Sequence, residues 1–220
     1  TEEEVARNPR ARSAKLRAAQ KLDANCAMCF WGEALATGPN INVTAKGKAI
    51  MSTDEQTAAW TALEKAKAVS ASKPEVERDL IEALGKRYSE TPVEDRTAFD
   101  IAYAGALGEL VTKYADDDDI AAMYGEAWMN TMPWNYWSDA TTPRPEIAPV
   151  IAALEKTIAR SPKHPLALHL YIHAMEASAA PEKAEAASDT LLTLVPGSGH
   201  LVHMPAHIYY RVGRYNDSVQ

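Results

Sequence analysis

The chain has 220 residues, a formal net charge of -7 and a hydrophobic fraction of 46%. This length allows one or two ordinary domains, or about five to six helical hairpins of roughly 34 residues each. The acidic balance argues against a nucleic-acid partner, because phosphate binding needs clustered Lys and Arg. No apolar run is long enough for a membrane span, and no secretion signal opens the chain.

Helical periodicity recurs along the whole chain, interrupted by Pro, Gly, Asn and Asp at intervals that suit paired helices. Ala and Leu are abundant and Phe is rare, so we expect an all-α fold with few or no strands. The periodicity predicts helices over 10–22, 26–37, 54–70, 74–88, 92–114, 118–131, 145–160, 165–178, 181–194 and 200–212. Segments 38–52 and 132–144 lack a helical pattern, and irregular segments of that length tend to be functional or mobile.

Internal similarity indicates repeated hairpins. Residues 31–35 (WGEAL) and 124–128 (YGEAW) share an aromatic-Gly-Glu-Ala-apolar core, in which the small residues let neighbouring helices approach closely. Residues 210–218 are typical of the turn between the two helices of a tetratricopeptide repeat (TPR) unit. The chain stops just after that turn, so we expect a fragment of a longer protein.

The histidines are strongly clustered, since all six lie within 44 residues. His169 and His173 are four residues apart, as are His203 and His207, and on a helix this spacing places both rings on one face. The two pairs are 34 residues apart, which equals the TPR period. Equivalent positions on successive first helices lie side by side, about 8–10 Å between axes, which leaves room for one ion between opposed imidazoles.

The spacing therefore predicts a transition-metal site made by these four histidines, with His200 and Glu176 as further ligands or as groups that orient them. Imidazole suits copper, zinc and iron alike, so the metal is left open. The alternative is that the rings only hydrogen-bond to polar groups where helices meet. Pro205 fits only the first turn of a helix, so the last helix is expected to begin near 202–204.

Cys26 and Cys29 form a C-x-x-C pair after residues 23–25 (DAN), which are typical of a helix cap. One interpretation is a reactive or metal-binding thiol pair, because a helix dipole lowers the pKa of a thiol in the first turn. The other is two small apolar side chains buried between helices. Residue 30 is Phe, which excludes c-type haem attachment.

Glu33 and Glu126 occupy matching places in the two Gly-Glu-Ala cores, so the repeat predicts that they point toward one concave channel. There they would serve acid–base chemistry or metal binding, or bond to neighbouring helices. Trp31 belongs to the first core and is a further candidate for binding. Trp134 lies in an aromatic-rich loop that either covers a ligand or packs over a helix end.

Four longer strings carry a family resemblance. They are 26–35 (CAMCFWGEAL), 38–42 (GPNIN), 169–173 (HLYIH) and 199–209 (GHLVHMPAHIY). These strings resemble a group of bacterial TPR-containing proteins of largely unassigned function. The resemblance implies a single TPR-like domain over 1–220, a right-handed superhelix of antiparallel helix pairs, with His, Cys and Glu at matching positions. It implies no reaction, and leaves the compartment open between the cytoplasm and export after signal removal.

The sequence thus predicts a TPR-type scaffold that binds a transition metal on its concave face, for metal binding, delivery or metal-dependent catalysis. Catalysis needs an open coordination position and nearby acid–base groups, for which Glu176, Glu33 and Glu126 are candidates. The alternative is a metal-free scaffold that binds a peptide, a partner protein or the remaining part of its own chain in its groove. Haem held between two imidazoles is a third hypothesis.

Overall fold

The computed structural model describes residues 14–219, most of which are helical, as the periodicity predicts. The helices in chain order are α1 (Ala14–Leu22), α2 (Ala27–Thr37), α3 (Thr53–Ala68), α4 (Glu75–Gly85), α5 (Thr97–Lys113), α6 (Asp118–Thr131), α7 (Ile147–Arg160), α8 (Pro165–Glu176), α9 (Glu185–Leu194), α10 (Gly199–His203) and α11 (Pro205–Arg211). A 3-10 turn, Pro181–Ala184, precedes α9. The first four residues of the first predicted helix, 10–13, lie outside the described residues.

The helices belong to two compact units, Thr1–Lys113 and Tyr114–Gln220. Within each unit every helix packs against the next one in sequence. In the second unit α8 also packs against α6 and α11. Packing between consecutive helices is what helical hairpins require. The single domain over 1–220 stays a prediction.

Side-chain caps explain where two of the helices begin. At α3, Ser52 Oγ accepts the Glu55 N–H at 3.3 Å, and the Glu55 carboxylate accepts the Ser52 N–H at 2.8 Å. At α6, the Asp117 carboxylate accepts the Ile120 N–H at 2.9 Å. Each cap pairs a backbone donor that the first turn of a helix would otherwise leave unpaired.

The glycines of the two Gly-Glu-Ala cores make room for neighbouring helices. A Cβ atom at Gly125 in α6 would lie 3.4 Å from side-chain carbons of Val150 and Leu154 in α7. A Cβ atom at Gly32 in α2 would lie 3.2 Å from Leu16 Cδ2 in α1. A side chain at Gly32 would require Leu16 to shift, and a side chain longer than a Cβ at Gly125 would press on α7.

Two short antiparallel hairpins lie in the two segments that lack a helical pattern. They pair β1 (Thr44–Ala45) with β2 (Lys48–Ala49), and β3 (Trp137–Asp139) with β4 (Thr142–Pro143). Between β1 and β2, Lys46 and Gly47 have φ values of 51° and 73°. These are the left-handed conformations that a two-residue hairpin turn requires. Few strands were expected, and the strands in the described part of the chain are limited to these two short hairpins.

Helix α8 lies inside the core of the second unit. Every residue from 167 to 175 is buried, so the helix has no solvent-facing side over that stretch. The helices that pack against it, α7, α9 and α11, contribute the fully buried Leu154, Leu191 and Ile208 to the core. Any polar side chain on α8 must therefore find its partners inside the protein.

Candidate metal centre

His164 fixes the start of α8. Its Nδ1 accepts the Ala167 N–H at 3.2 Å, and its Nε2 lies 3.0 Å from Asp119 Oδ1. Pro165 follows at the first position of the helix, where its missing N–H would have had no partner. This histidine therefore caps the helix that carries His169 and His173, a role that its spacing in the sequence did not indicate.

His169, His173 and His200 form a compact group of ring nitrogens. One nitrogen from each ring lies within 4.8 Å of the corresponding nitrogens of the other two. The Nε2 atoms of His169 and His200 are 3.0 Å apart. The rings of His169 and His173 meet edge to face, with 4.6 Å between their centroids. These three histidines lie close enough together to hold a metal ion.

His173 is the most deeply buried of the three. Only 2% of its surface is exposed, and neither ring nitrogen has a hydrogen-bond partner among residues 14–219. A neutral imidazole has one N–H donor and one lone-pair acceptor. Leaving a buried donor or acceptor unpaired costs about 1–3 kcal/mol. An ion bound to this ring would offset part of that cost.

Burial keeps the two α8 histidines neutral. It lowers the pKa of His169 to about 3, with a further contribution from the nearby His200. Burial also lowers the pKa of His173 to about 2, helped by the neighbouring His169, His200 and His207. Both rings are therefore uncharged near neutral pH, which is the form of imidazole that binds a metal.

His203 and His207 form a second pair beside this group. Their Nε2 atoms are 3.0 Å apart, and His207 Nδ1 lies 2.8 Å from Glu176 Oε1. The hydrogen bond to the Glu176 carboxylate raises the pKa of His207. The rings of His207 and His173 have centroids 6.5 Å apart, so the second pair adjoins the first group through His173.

The structure therefore distributes the six predicted ligand residues over two adjoining groups. The pair on α8 lies with His200, which was predicted only as a further ligand or an orienting group. Helical structure begins at Gly199, one residue before the predicted helix 200–212 and earlier than the start near 202–204 inferred from Pro205. His200 is then helical too, and it lies three residues before His203 and seven before His207. Pro205 occupies the first position of α11, so its predicted place in a first turn is confirmed.

Trp134 lies against the histidines. Its ring meets that of His173 edge to face at 4.8 Å between centroids, while 47% of the residue remains exposed. Its φ of 65° is a left-handed conformation that costs a bulky residue about 1–3 kcal/mol. Nearby, Trp137 Nε1 donates to the Ala174 carbonyl at 2.6 Å, which ties this segment to α8. The aromatic loop thus covers part of the cluster.

Cys26 and Cys29 are joined by a disulfide, with their Cα atoms 5.3 Å apart. The disulfide leaves no free thiol to bind a metal in this structure, whereas a reactive thiol pair stays a prediction, because a redox-active C-x-x-C is a disulfide in its oxidised form. Cys26 is the cap residue of α2, one position before its first turn. The C-x-x-C spacing at a helix start brings the two sulfurs within bonding distance, but spacing alone does not give their oxidation state.

The remaining candidates have structural contacts in their own units. Glu33 in α2 accepts hydrogen bonds from Arg17 Nε at 2.6 Å and Gln20 Nε2 at 2.7 Å, both in α1. Trp31 Nε1 donates to the Leu80 carbonyl at 3.1 Å. Glu126 lies half-buried on α6 in the second unit. The shared channel for Glu33 and Glu126 stays a prediction.

Comparison with known proteins adds no relative: no protein-family model, no curated protein and no solved structure matches the chain. Among residues 14–219, no helix combines the length and the apolar character that crossing a membrane demands.

The fold and the site describe a mostly helical protein with a histidine cluster that could hold a metal. The resemblance to bacterial TPR proteins stays a prediction.

Proposed function

We propose that this protein binds a transition-metal ion through His169, His173 and His200. The observation that supports the proposal is the nitrogen group of these rings, which spans at most 4.8 Å and contains the unpaired nitrogens of His173. Metal–imidazole bonds are about 2.0–2.1 Å long, so two ligands on a tetrahedral ion lie about 3.4 Å apart. Side-chain rotations that shift a ring nitrogen by about 1 Å would close the group around an ion.

The ligand set suits zinc, copper or iron, because neutral imidazole binds all three. Three protein ligands leave a coordination position for water or for a substrate. His200 is exposed whereas His169 and His173 are buried, so the open position faces solvent on the His200 side. Metal delivery and metal-dependent catalysis both need such an open position.

The scaffold is proposed to be a bacterial helical repeat of the TPR type. The motif strings and the 34-residue spacing of the histidine pairs support this proposal. The packing of each helix against the next one within both units also supports it.

Metal analysis of the untagged protein tests the proposal. The protein is stripped with a chelator and then reconstituted with zinc, copper and iron in turn. We expect at least one equivalent of one metal, and a higher unfolding temperature that the chelator reverses. A ligand present at 100 times its Kd stabilises the folded state by about 2.7 kcal/mol.

Two other outcomes separate the alternatives. A metal-free peptide or protein scaffold would take up well under one equivalent of each metal, with no change in unfolding temperature. That result would end the metal proposal. Haem binding would instead give a Soret absorption band in the purified protein.

A further inference from the structure

We infer that the histidine cluster holds a second transition-metal ion, between His203 and His207, so that the complete site is dinuclear. The inference rests on the proposed function, because it places this ion beside the one bound by His169, His173 and His200. The supporting observations are the spacing of two Nε2 atoms, the carboxylate contact of His207 and an unpaired oxygen of Glu176.

The backbone keeps His203 and His207 one helical turn apart although Pro205 lies between them. Met204 has φ and ψ of -54° and -40°, so the α-helical path continues from α10 into α11. The two Nε2 atoms are 3.0 Å apart, close to the separation of about 3.4 Å for two ligands on one tetrahedral ion. A pair of imidazoles one turn apart on a helix can therefore bind a single ion.

Glu176 holds His207 in the orientation that metal binding needs. Its Oε1 accepts a hydrogen bond from His207 Nδ1 at 2.8 Å, which leaves the Nε2 lone pair for the ion. A carboxylate that accepts from the second ring nitrogen fixes the tautomer and raises the basicity of a metal-binding histidine. Glu176 Oε2 is buried without a hydrogen-bond partner in the part of the chain that the structure describes. A cation next to this carboxylate would compensate its charge.

The compact nitrogen group contains His169, His173 and His200 and leaves out His203 and His207. Because the Nε2 atoms of His203 and His207 face each other at 3.0 Å, we place a separate ion between them. The second position is also more open, since the side chains of His207 and Glu176 are 28% and 27% exposed. We therefore expect the second ion to bind more weakly than the first.

The experiment uses the untagged full chain, stripped of metal and titrated with Zn²⁺ and with Cu²⁺. Bound metal is counted by equilibrium dialysis and elemental analysis in the wild type and in His203→Ala, Glu176→Gln and His164→Asn. The last variant is the matched control, because His164 caps α8 and Asn is an effective capping residue. Circular dichroism checks that each variant is folded.

We expect two equivalents in the wild type and in His164→Asn, and one in His203→Ala. Glu176→Gln should weaken the second equivalent about 10–100-fold. In the wild type loaded with two Cu²⁺ ions, electron paramagnetic resonance should show a half-field signal from coupled ions. That signal is a readout that does not depend on any variant.

Three results would overturn the second site. One is a single equivalent in the wild type that His203→Ala leaves unchanged, in which case the first site stands alone. Another is two equivalents that both persist in His203→Ala. The third is a wild type with two Cu²⁺ ions and no magnetic coupling. If the wild type binds no metal at all, the proposed function itself is wrong.

Discussion

His173 is an unfavourable residue for a protein without a bound ion, because both of its ring nitrogens are buried and find no partner among residues 14–219. Replacing this residue therefore distinguishes a structural role of the cluster from a metal-binding role. If its purpose is structural, an apolar replacement should lower the stability of the metal-free protein. If its purpose is metal binding, the ring lowers the stability of the metal-free protein, and a bound ion restores that stability.

We predict that His173→Leu leaves the stability of the metal-free protein unchanged or raises it by up to about 2 kcal/mol, since it removes unpaired polar atoms. The same variant should lose the stabilisation that metal gives. Urea unfolding with chelator and with excess zinc measures both effects. His164→Asn should keep the zinc effect. A His173→Leu protein that is still stabilised by zinc as strongly as the wild type would contradict the assignment of this ligand.

Trp134 provides an optical probe, because its ring lies 4.8 Å from the ring of His173. We predict that Cu²⁺ binding quenches the tryptophan fluorescence of the protein, and that Trp134→Phe removes the largest part of the quenching. Zn²⁺ has a filled d shell and is the control metal, which should bind without comparable quenching. Equal quenching in the wild type and in Trp134→Phe would show that the ion binds away from this ring.

At the scale of elements, the cluster depends on how α6, α7 and α8 meet. Asp118 at the start of α6 accepts a hydrogen bond from Arg160 Nε at 2.9 Å, and Arg160 is the last residue of α7. One residue further along α6, Asp119 lies 3.0 Å from the ring of His164, the cap of α8. The charged start of α6 thus links the end of one helix to the beginning of the next.

This link should give a pH-dependent stability. The hydrogen bond from Arg160, and then that from Ser161, lowers the pKa of Asp118 below its usual value although burial opposes them. A lowered folded-state pKa means that the contribution is present above the unfolded pKa of about 3.9, and is lost as the pH falls through the folded value. We predict that Asp118→Asn destabilises the protein by up to about 1 kcal/mol near neutral pH, because the ion pair with Arg160 is partly exposed to solvent.

Unfolding free energies of the wild type and Asp118→Asn at several pH values measure this effect. The difference should narrow as the pH falls below about 4, because the carboxyl then becomes neutral in the wild type too. A difference that stays constant down to strongly acidic pH would show that packing, and not the ion pair, carries the effect.

The elements also show what could be predicted from the sequence. Long helices such as α3 and α7 keep an apolar period and end at residues that break helices, so their positions were predicted closely. The strands have only two or three residues, too few to show a period of two. The predicted helix 200–212 begins one residue after Gly199, the first residue of α10, so this start was predicted closely. Which of its histidines lies with the pair on α8 was not predicted, because that depends on the orientation of the rings.

At the scale of the whole molecule, the histidine cluster belongs to one compact unit. The five histidines of the two groups, Glu176 and Trp134 all lie in Tyr114–Gln220, whereas the disulfide lies in Thr1–Lys113. The 34-residue spacing predicted that the two histidine pairs lie close together, and the ring centroids of His173 and His207 are 6.5 Å apart. It was not enough to predict which ring nitrogens converge, since that depends on helix starts and side-chain rotamers.

We predict that a fragment of residues 114–220 binds the same number of metal equivalents as the full chain, since it contains every proposed ligand. Metal uptake is compared after circular dichroism has shown that the fragment is helical. A folded fragment that binds fewer equivalents than the full chain would mean that residues before 114 supply a ligand.

Anomalous diffraction from crystals grown with zinc, recorded on both sides of the zinc absorption edge, shows whether the histidine cluster binds a metal. We predict a peak about 2.0–2.1 Å from one ring nitrogen each of His169, His173 and His200. A well-ordered cluster without a peak in crystals soaked in excess zinc, or a peak only at other residues, would contradict it.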